Sequence, residues 1–267
     1  MNSRLSVSGY RLSVVSIAGV CSLVACLSVL GQSSPQNAAL QRVPILVELF
    51  TSEGCSDCPP ADALLGEIDR RQPVAGVQAI VLSEHVTYWN HQGWQDPYSL
   101  DAMTDRQEQY QRHFGLDSSY TPQMVVDGTT QFVGSNAKAL VDALGKAANT
   151  PKPMLSIENA RWDHGSAVFS LRGDVPGGAR AFAVLAADAT HQEVSAGENA
   201  GRTLHHVAVV RVMKELGTES SGGSPLKLFG SDLNRKNEAN GPIRLVVFIT
   251  DRKTGHVLGA AEQTLQR

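Results

Sequence analysis

The stretch Val43-Pro44-Ile45-Leu46-Val47-Glu48-Leu49-Phe50-Thr51-Ser52-Glu53-Gly54-Cys55-Ser56-Asp57-Cys58-Pro59-Pro60-Ala61 decides how the rest of the chain is read. Residues 43–50 are mostly apolar and β-prone, which predicts a buried strand. Thr51 to Gly54 reads as a turn. From Pro59 to Arg71, Ala61, Leu64, Leu65 and Ile68 recur at helical spacing, so a helix packed on a sheet is expected. A strand, a turn, Cys-x-x-Cys and a helix place the first sulfur at a helix N-terminus. Backbone N–H groups without helical partners converge there and favour a thiolate. The thiolate is the species that attacks a disulfide. A second cysteine close by can release the mixed disulfide that results. Cys55 is therefore the candidate nucleophile and Cys58 the candidate resolving thiol.

Two other readings of the pair stay open. A structural disulfide at this spacing closes a very short loop and adds little stability. A metal site needs more ligands than two thiolates, and the chain has no second Cys-x-x-Cys; His85 or His91 would have to complete a copper or zinc site. Electron exchange itself calls for no cofactor and no metal. Glu53 and Asp57 flank the pair, and negative charge raises a thiol pKa. Pro59-Pro60 removes two helix N–H donors. Both features point toward a reductant or isomerase rather than a strong oxidant. The exchange reading requires an accessible sulfur near the proline discussed next.

Outward from this segment, residues 78–82 read as a strand and residues 100–114 as a helix. Between them, residues 83–99 form a long loop carrying His85, Tyr88, Trp89, His91, Trp94 and Tyr98. Loops of this length inside domains are often functional. Tyr88, Trp89 and Trp94 are candidate peptide-binding residues; plain packing of the loop explains them equally well. Thr121-Pro122 precedes the strand 123–126, the tight turn Asp127-Gly128 and a returning strand, 130–133. That is the position of the cis-proline in thioredoxin folds, where it lies against the disulfide and seats substrate backbone, so Thr121 and Pro122 join the candidate site. Ser135 reads as the cap of a helix to about Ala148. The order β-α-β-loop-α-β-β-α predicts a thioredoxin-like α/β domain over 43–149, a mixed central sheet with flanking helices. Thr150-Pro151-Lys152-Pro153 reads as a linker. Many short strands then predict a β-rich, sandwich-like domain over 153–267, with residues 220–224 a Gly/Ser-rich loop.

Hydrophobic residues make up 42% of the 267 and charged residues 18%, which fits a globular protein and excludes a disordered one. The net charge is −3 with no basic block, so no nucleic-acid partner is expected. Residues 1–31 carry Arg4, Arg11 and an apolar run from Leu12 to Leu30, the layout of an export leader. Leu23-Val24-Ala25-Cys26 resembles a lipoprotein box, so lipid attachment at Cys26, cleavage near Gly31 and a retained anchor are all open. A periplasmic or secreted location follows, with possible membrane attachment through this segment. Loss of the leader leaves a net charge of −5, with Cys55 and Cys58 the remaining free thiols. Two such close cysteines would pair in an oxidising compartment.

The segment 47–62 closely resembles the signature of the bacterial secreted family catalogued as domain of unknown function 1223. So do His85-Val86-Thr87-Tyr88-Trp89, Gly93-Trp94-Gln95-Asp96-Pro97 and Tyr120-Thr121-Pro122-Gln123. Glu198-Asn199-Ala200-Gly201-Arg202-Thr203-Leu204-His205-His206-Val207 resembles its C-terminal motif. The resemblance covers residues 43–265 and implies a thioredoxin-like fold and export, with no particular substrate. In the C-terminal motif, alternation puts His205 and His206 on opposite faces. This loop either docks near Cys55 or forms a polar domain interface. The expected function is an exported thiol–disulfide oxidoreductase that acts on protein or small-thiol substrates and receives electrons from a partner thiol protein. The alternative is a non-catalytic scaffold that holds copper or a peptide.

Overall fold

The computed structural model describes residues 42–217, 222–230 and 241–267. The leader, residues 1–31 with Cys26, lies outside the described residues. Among the described residues no helix is long and apolar enough to cross a membrane.

The first half runs β1 (Val43–Thr51), α1 (Pro59–Arg71), β2 (Val77–His85), α2 (Asp101–Phe114), β3 (Gln123–Val126), β4 (Thr130–Val133) and α3 (Ala137–Ala147). Among the described residues the second half has strands alone as its regular elements: β5 (Leu155–Asp163), β6 (Ser166–Gly173), β7 (Ala179–Glu193), β8 (Thr203–Leu216), β9 (Gly222–Phe229), β10 (Ile243–Asp251) and β11 (Val257–Leu265). β1 and β2 pair in parallel, as a βαβ crossover demands, while β3 and β4 add antiparallel at the edge. Asp127 and Gly128 both have positive φ, the conformation a two-residue hairpin needs.

The boundary near residue 150 is not a boundary of the sheet. One eight-stranded mixed sheet runs β11-β10-β7-β8-β2-β1-β3-β4, with β2 beside β8 in parallel through Ser83 and Val209. β5, β6 and β9 form a second, three-stranded sheet. The sandwich-like character of the second half comes from this small sheet facing β7 and β10. Alternate residues of those two strands serve two cores. Ala183, Leu185, Leu245 and Val247 meet Phe169, Leu171 and Leu228 of the small sheet. Phe182, Val184, Val246 and Phe248 join the core built on β1, β2, α1 and α3.

Three local expectations change. α3 is capped by Asn136, whose side chain accepts from Ala139 N–H, and not by Ser135. The second strand extends through His85, so the loop starts later than its polar residues suggest. Residues 222–229 form β9 and not a loop, because β6 supplies ladder partners from Phe229 to Pro225 and again at Gly222, with an irregularity at Gly223 and Ser224; residues 220 and 221 lie outside the described residues.

Candidate redox site

Cys55 and Cys58 form a disulfide with Cα atoms 5.4 Å apart. Cys58 is the N-cap residue of α1, Pro59 and Pro60 open the helix, and Cys55 sits in the turn before it. Ser56 and Asp57 face solvent, but Cys55 is 1% exposed and Cys58 0%. The expectation of an accessible sulfur is therefore corrected: in this form the pair is sealed.

One side of the Cys-x-x-Cys turn is covered by the second half of the chain. Asn199, itself fully buried, donates through Nδ2 to the carbonyls of Glu53 and Cys55, each at 2.9 Å. Arg202 Nη1 donates to Asn199 Oδ1 and fixes the amide orientation. Glu198 Oε2 accepts from Ser56 N–H at 3.1 Å. Gly197 lies so close to the aromatic loop that a Cβ there would come within 3.0 Å of Trp94 Cβ. The motif at 198–207 thus docks on the Cys-x-x-Cys turn, and the contact is at the same time a polar interface between the two halves.

The aromatic loop closes another side. Trp89 Nε1 donates to Thr121 Oγ1 at 2.7 Å, and a Cβ on Gly54 would meet Trp89 Cβ at 3.1 Å. Trp89 therefore bridges the turn before Cys55 and the Thr121-Pro122 segment. The Thr121–Pro122 peptide is cis. Pro122 is buried next to the start of α1, since a Cβ built on Gly134 meets both Pro122 Cβ and Ala61 Cβ at 3.1 Å. Tyr88 donates to Gln107 Oε1, its hydroxyl also lies in hydrogen-bonding reach of the Thr121 side chain, and burial outweighs both and pushes its pKa up to about 12. Trp94 Nε1 donates to Glu53 Oε2. The structure therefore brings Trp89, Trp94, Thr121 and Pro122 around the pair, and Tyr88 joins them through Thr121 from the Gln107 side.

Glu53 does not flank the sulfurs as a free charge. His206, on β8, lies with Nε2 3.3 Å from Glu53 Oε1 and Nδ1 3.7 Å from Asp62 Oδ2. Burial alone would lower the His206 pKa; the two carboxylates outweigh it and raise the value to about 10, so the ring is a cation at neutral pH. Neither ring nitrogen makes a well-formed hydrogen bond, and Glu53 Oε1 and Asp62 Oδ1 are also buried without one. Beside it, at 4.7 Å between ring centres, His85 pairs through Nδ1 with Asp96 Oδ2 at 2.7 Å. Asp96 also accepts from Glu53 N–H and Tyr98 N–H. Burial opposes its charge, but His85 and these hydrogen bonds hold its pKa down at about 2. His205 points the other way, toward His191. His91 is exposed and does not join His85. Among the described residues no three His, Cys, Asp or Glu side chains are grouped as metal ligands. The sequence assigns no role to Asp62 or Asp96, although both lie in segments that resemble the family signature, 47–62 and Gly93–Pro97.

Fold and site together define a mixed-sheet α/β protein with a capped disulfide at a helix start, backed by buried charge. The chain belongs to the family described as protein of unknown function (DUF1223), whose model matches residues 46–250. The crystal structure of protein AGR_C_4864 from Agrobacterium tumefaciens is similar in fold: TM-score 0.59 at 23% identity, covering 83% of this chain and 94% of that one. OgpA from Akkermansia muciniphila aligns at TM-score 0.26 and 16% identity over 51% of this chain and 36% of its own. No curated protein matches the chain.

Proposed function

We propose that the chain is an exported thioredoxin-like thiol–disulfide exchange protein whose pair works only when the 197–199 cap lifts. The β-α-β-α-β-β-α order of the first half and the meeting of Cys55, Cys58, Trp89, Thr121 and Pro122 support the reading. The observation that carries it is the buried cluster of Glu53, Asp62 and His206 beside the pair. Burying three ionisable side chains with unmatched polar atoms costs stability. A bridge that only pins a three-residue loop has no use for them. Perturbed, desolvated groups of this kind gather where chemistry is done.

In the reducing direction, the Cys55 thiolate attacks a client disulfide and one client sulfur leaves as thiolate. Cys58, losing its proton, then attacks Cys55, re-forms the bond and releases the second client thiol. Two electrons pass to the client, and a partner thiol protein restores them. Trp89, Thr121 and Pro122 would border the client backbone once the cap is open. Export rests on the basic start and apolar run of the leader.

The test is trapping: Cys58→Ser should hold a client on Cys55 as a mixed disulfide, and insulin reduction should vanish in Cys55→Ser. The sealing of both sulfurs favours a second reading, an inert structural bridge. A pair that resists dithiothreitol until the protein unfolds, with no client trapped, would establish that one.

A further inference from the structure

A second site lies apart from the disulfide, and no residue of residues 51–62 lines it. It is a cleft of about 370 Å³ between α2, the start of β7 and the turn joining β10 to β11. That volume suits a small ligand. Its walls carry Arg106, Arg112, Arg180, Arg252, Lys253 and His113. Among the described residues Asp251 is the lone carboxylate of the wall, and its Oδ1 is already taken by Lys253 N–H, Thr254 N–H and the Thr254 hydroxyl. On a chain of net charge −3, such a grouping of cations is local and not a general excess.

Bland explanations cover only part of it. Arg112 and His113 suit the C-terminus of α2, where cations offset the helix dipole. Arg180 pairs with Glu215, and Arg112 more loosely with Glu108. Among the described residues no ion pair holds Arg252 or Lys253; Arg252 is only in the field of Glu215. Arg106 is the telling residue. It is 8% exposed, its Nε donates to Glu48 and lies 3.7 Å from Glu84 Oε1, and its Nη2 donates to the Tyr110 hydroxyl. Nη1 makes no hydrogen bond among the described residues, yet it is not among the sealed orphan atoms, and the space onto which Arg106 opens is this cleft. The guanidinium is held against the rings of Tyr110, Phe182 and Phe248, so the remaining donor is fixed in place at the cleft floor.

We infer that this cleft binds a small multivalent oxyanion, a phosphate monoester in the first instance. A guanidinium presents planar paired donors that match phosphate oxygens. Arg106 Nη1 would meet the anion at the floor while Arg252, Lys253 and Arg112 close over it. Tyr110 and Phe182 supply an apolar flank for the body of the ester. His113, 5.8 Å from His256 between ring centres, has its pKa lowered by burial and by that neighbour. A bound anion would reverse that direction.

The experiment uses the whole protein with inorganic phosphate and phenyl phosphate as probes, titrated by calorimetry and thermal shift. Ionic strength is held constant with sodium chloride. The expected result is saturable binding of both, tighter for phenyl phosphate, with the His113 ring pKa rising on saturation. The double variant Arg252→Gln/Lys253→Gln sits on an exposed turn and should fold normally, while losing at least tenfold in affinity. Arg106→Gln should lose more, but it also unpairs Glu48, so the rim variant decides. No saturable binding at fixed ionic strength overturns the inference. So does binding that the rim variant leaves intact.

Discussion

At the residue scale the site turns on what one amide and one imidazole do. Asn199 donates to the carbonyls of Glu53 and Cys55, and the Cys55 carbonyl also accepts from Cys58 N–H at 3.3 Å. Asn199→Ala takes the side-chain donor from both carbonyls and leaves Cys55 O with Cys58 N–H alone, which costs about 1–3 kcal/mol, and loosens the cap. Dithiothreitol should then reduce the folded variant's disulfide about tenfold faster than the parent's, about 1.4 kcal/mol in the opening equilibrium. Thiol labelling over time reads this directly, and equal rates would show that the cap does not gate the pair. His206 separates two carboxylates that would otherwise face each other buried and unpaired. With its pKa raised to about 10 from 6.5, its contribution to stability is complete below about pH 6.5 and fades as pH climbs through 10. Urea midpoints should therefore fall between pH 7 and 10.5. A His206→Gln variant should be weaker at pH 6 and lack most of that alkaline decline. Asp96 acts at the other end. Its pKa of about 2 means that its contribution holds above pH 4 and is lost as pH drops through 2.

At the element scale, the hairpin turn of β3 and β4 meets the turn of β10 and β11. Val257 N–H donates to the Asp127 carbonyl, Leu46 N–H to Asp127 Oδ1, and Lys152 bridges Asp127 Oδ2 and the Val257 carbonyl. Gly128 makes this contact possible: its φ is +64°, and a Cβ there would lie 2.3 Å from the Gly255 carbonyl oxygen. Both obstacles are backbone, which cannot swing aside. Gly128→Ala should cost about 2–4 kcal/mol, seen as a drop of several degrees in Tm. Gly145→Ala, in α3 with open space around it, should be neutral or slightly stabilising.

At the scale of the whole molecule, the two halves share one sheet and one charged network. Arg244 on β10 holds Asp69 on α1 through two hydrogen bonds and Asp188 through another. α1 therefore starts at the disulfide and ends on a strand of the second half. Residues 43–149 expressed alone would expose the β2 edge and the Ala61–Ile68 face, and would lose the Asn199 cap. That fragment is expected to aggregate or remain partly folded, while residues 42–267 unfold in one transition. Coincident fluorescence and circular dichroism curves for the long form check this.

Local order in the first half was readable from residues alone. Apolar alternation, a proline pair and an Asp-Gly turn act over a few residues, so β1, α1, β3, β4 and the disulfide pairing needed no tertiary help. Which strand would lie against β2, whether Gly222–Phe229 would become a strand, and where Asn199 and His206 would land depend on partners far away in sequence. Propensity carries no information about such partners. Burial of the sulfurs belongs to the same class. A Cys-x-x-Cys segment encodes its own turn and helix start, but what covers it is settled by a loop more than 140 residues away, held there by hydrogen bonds that exist only once the sheet has closed.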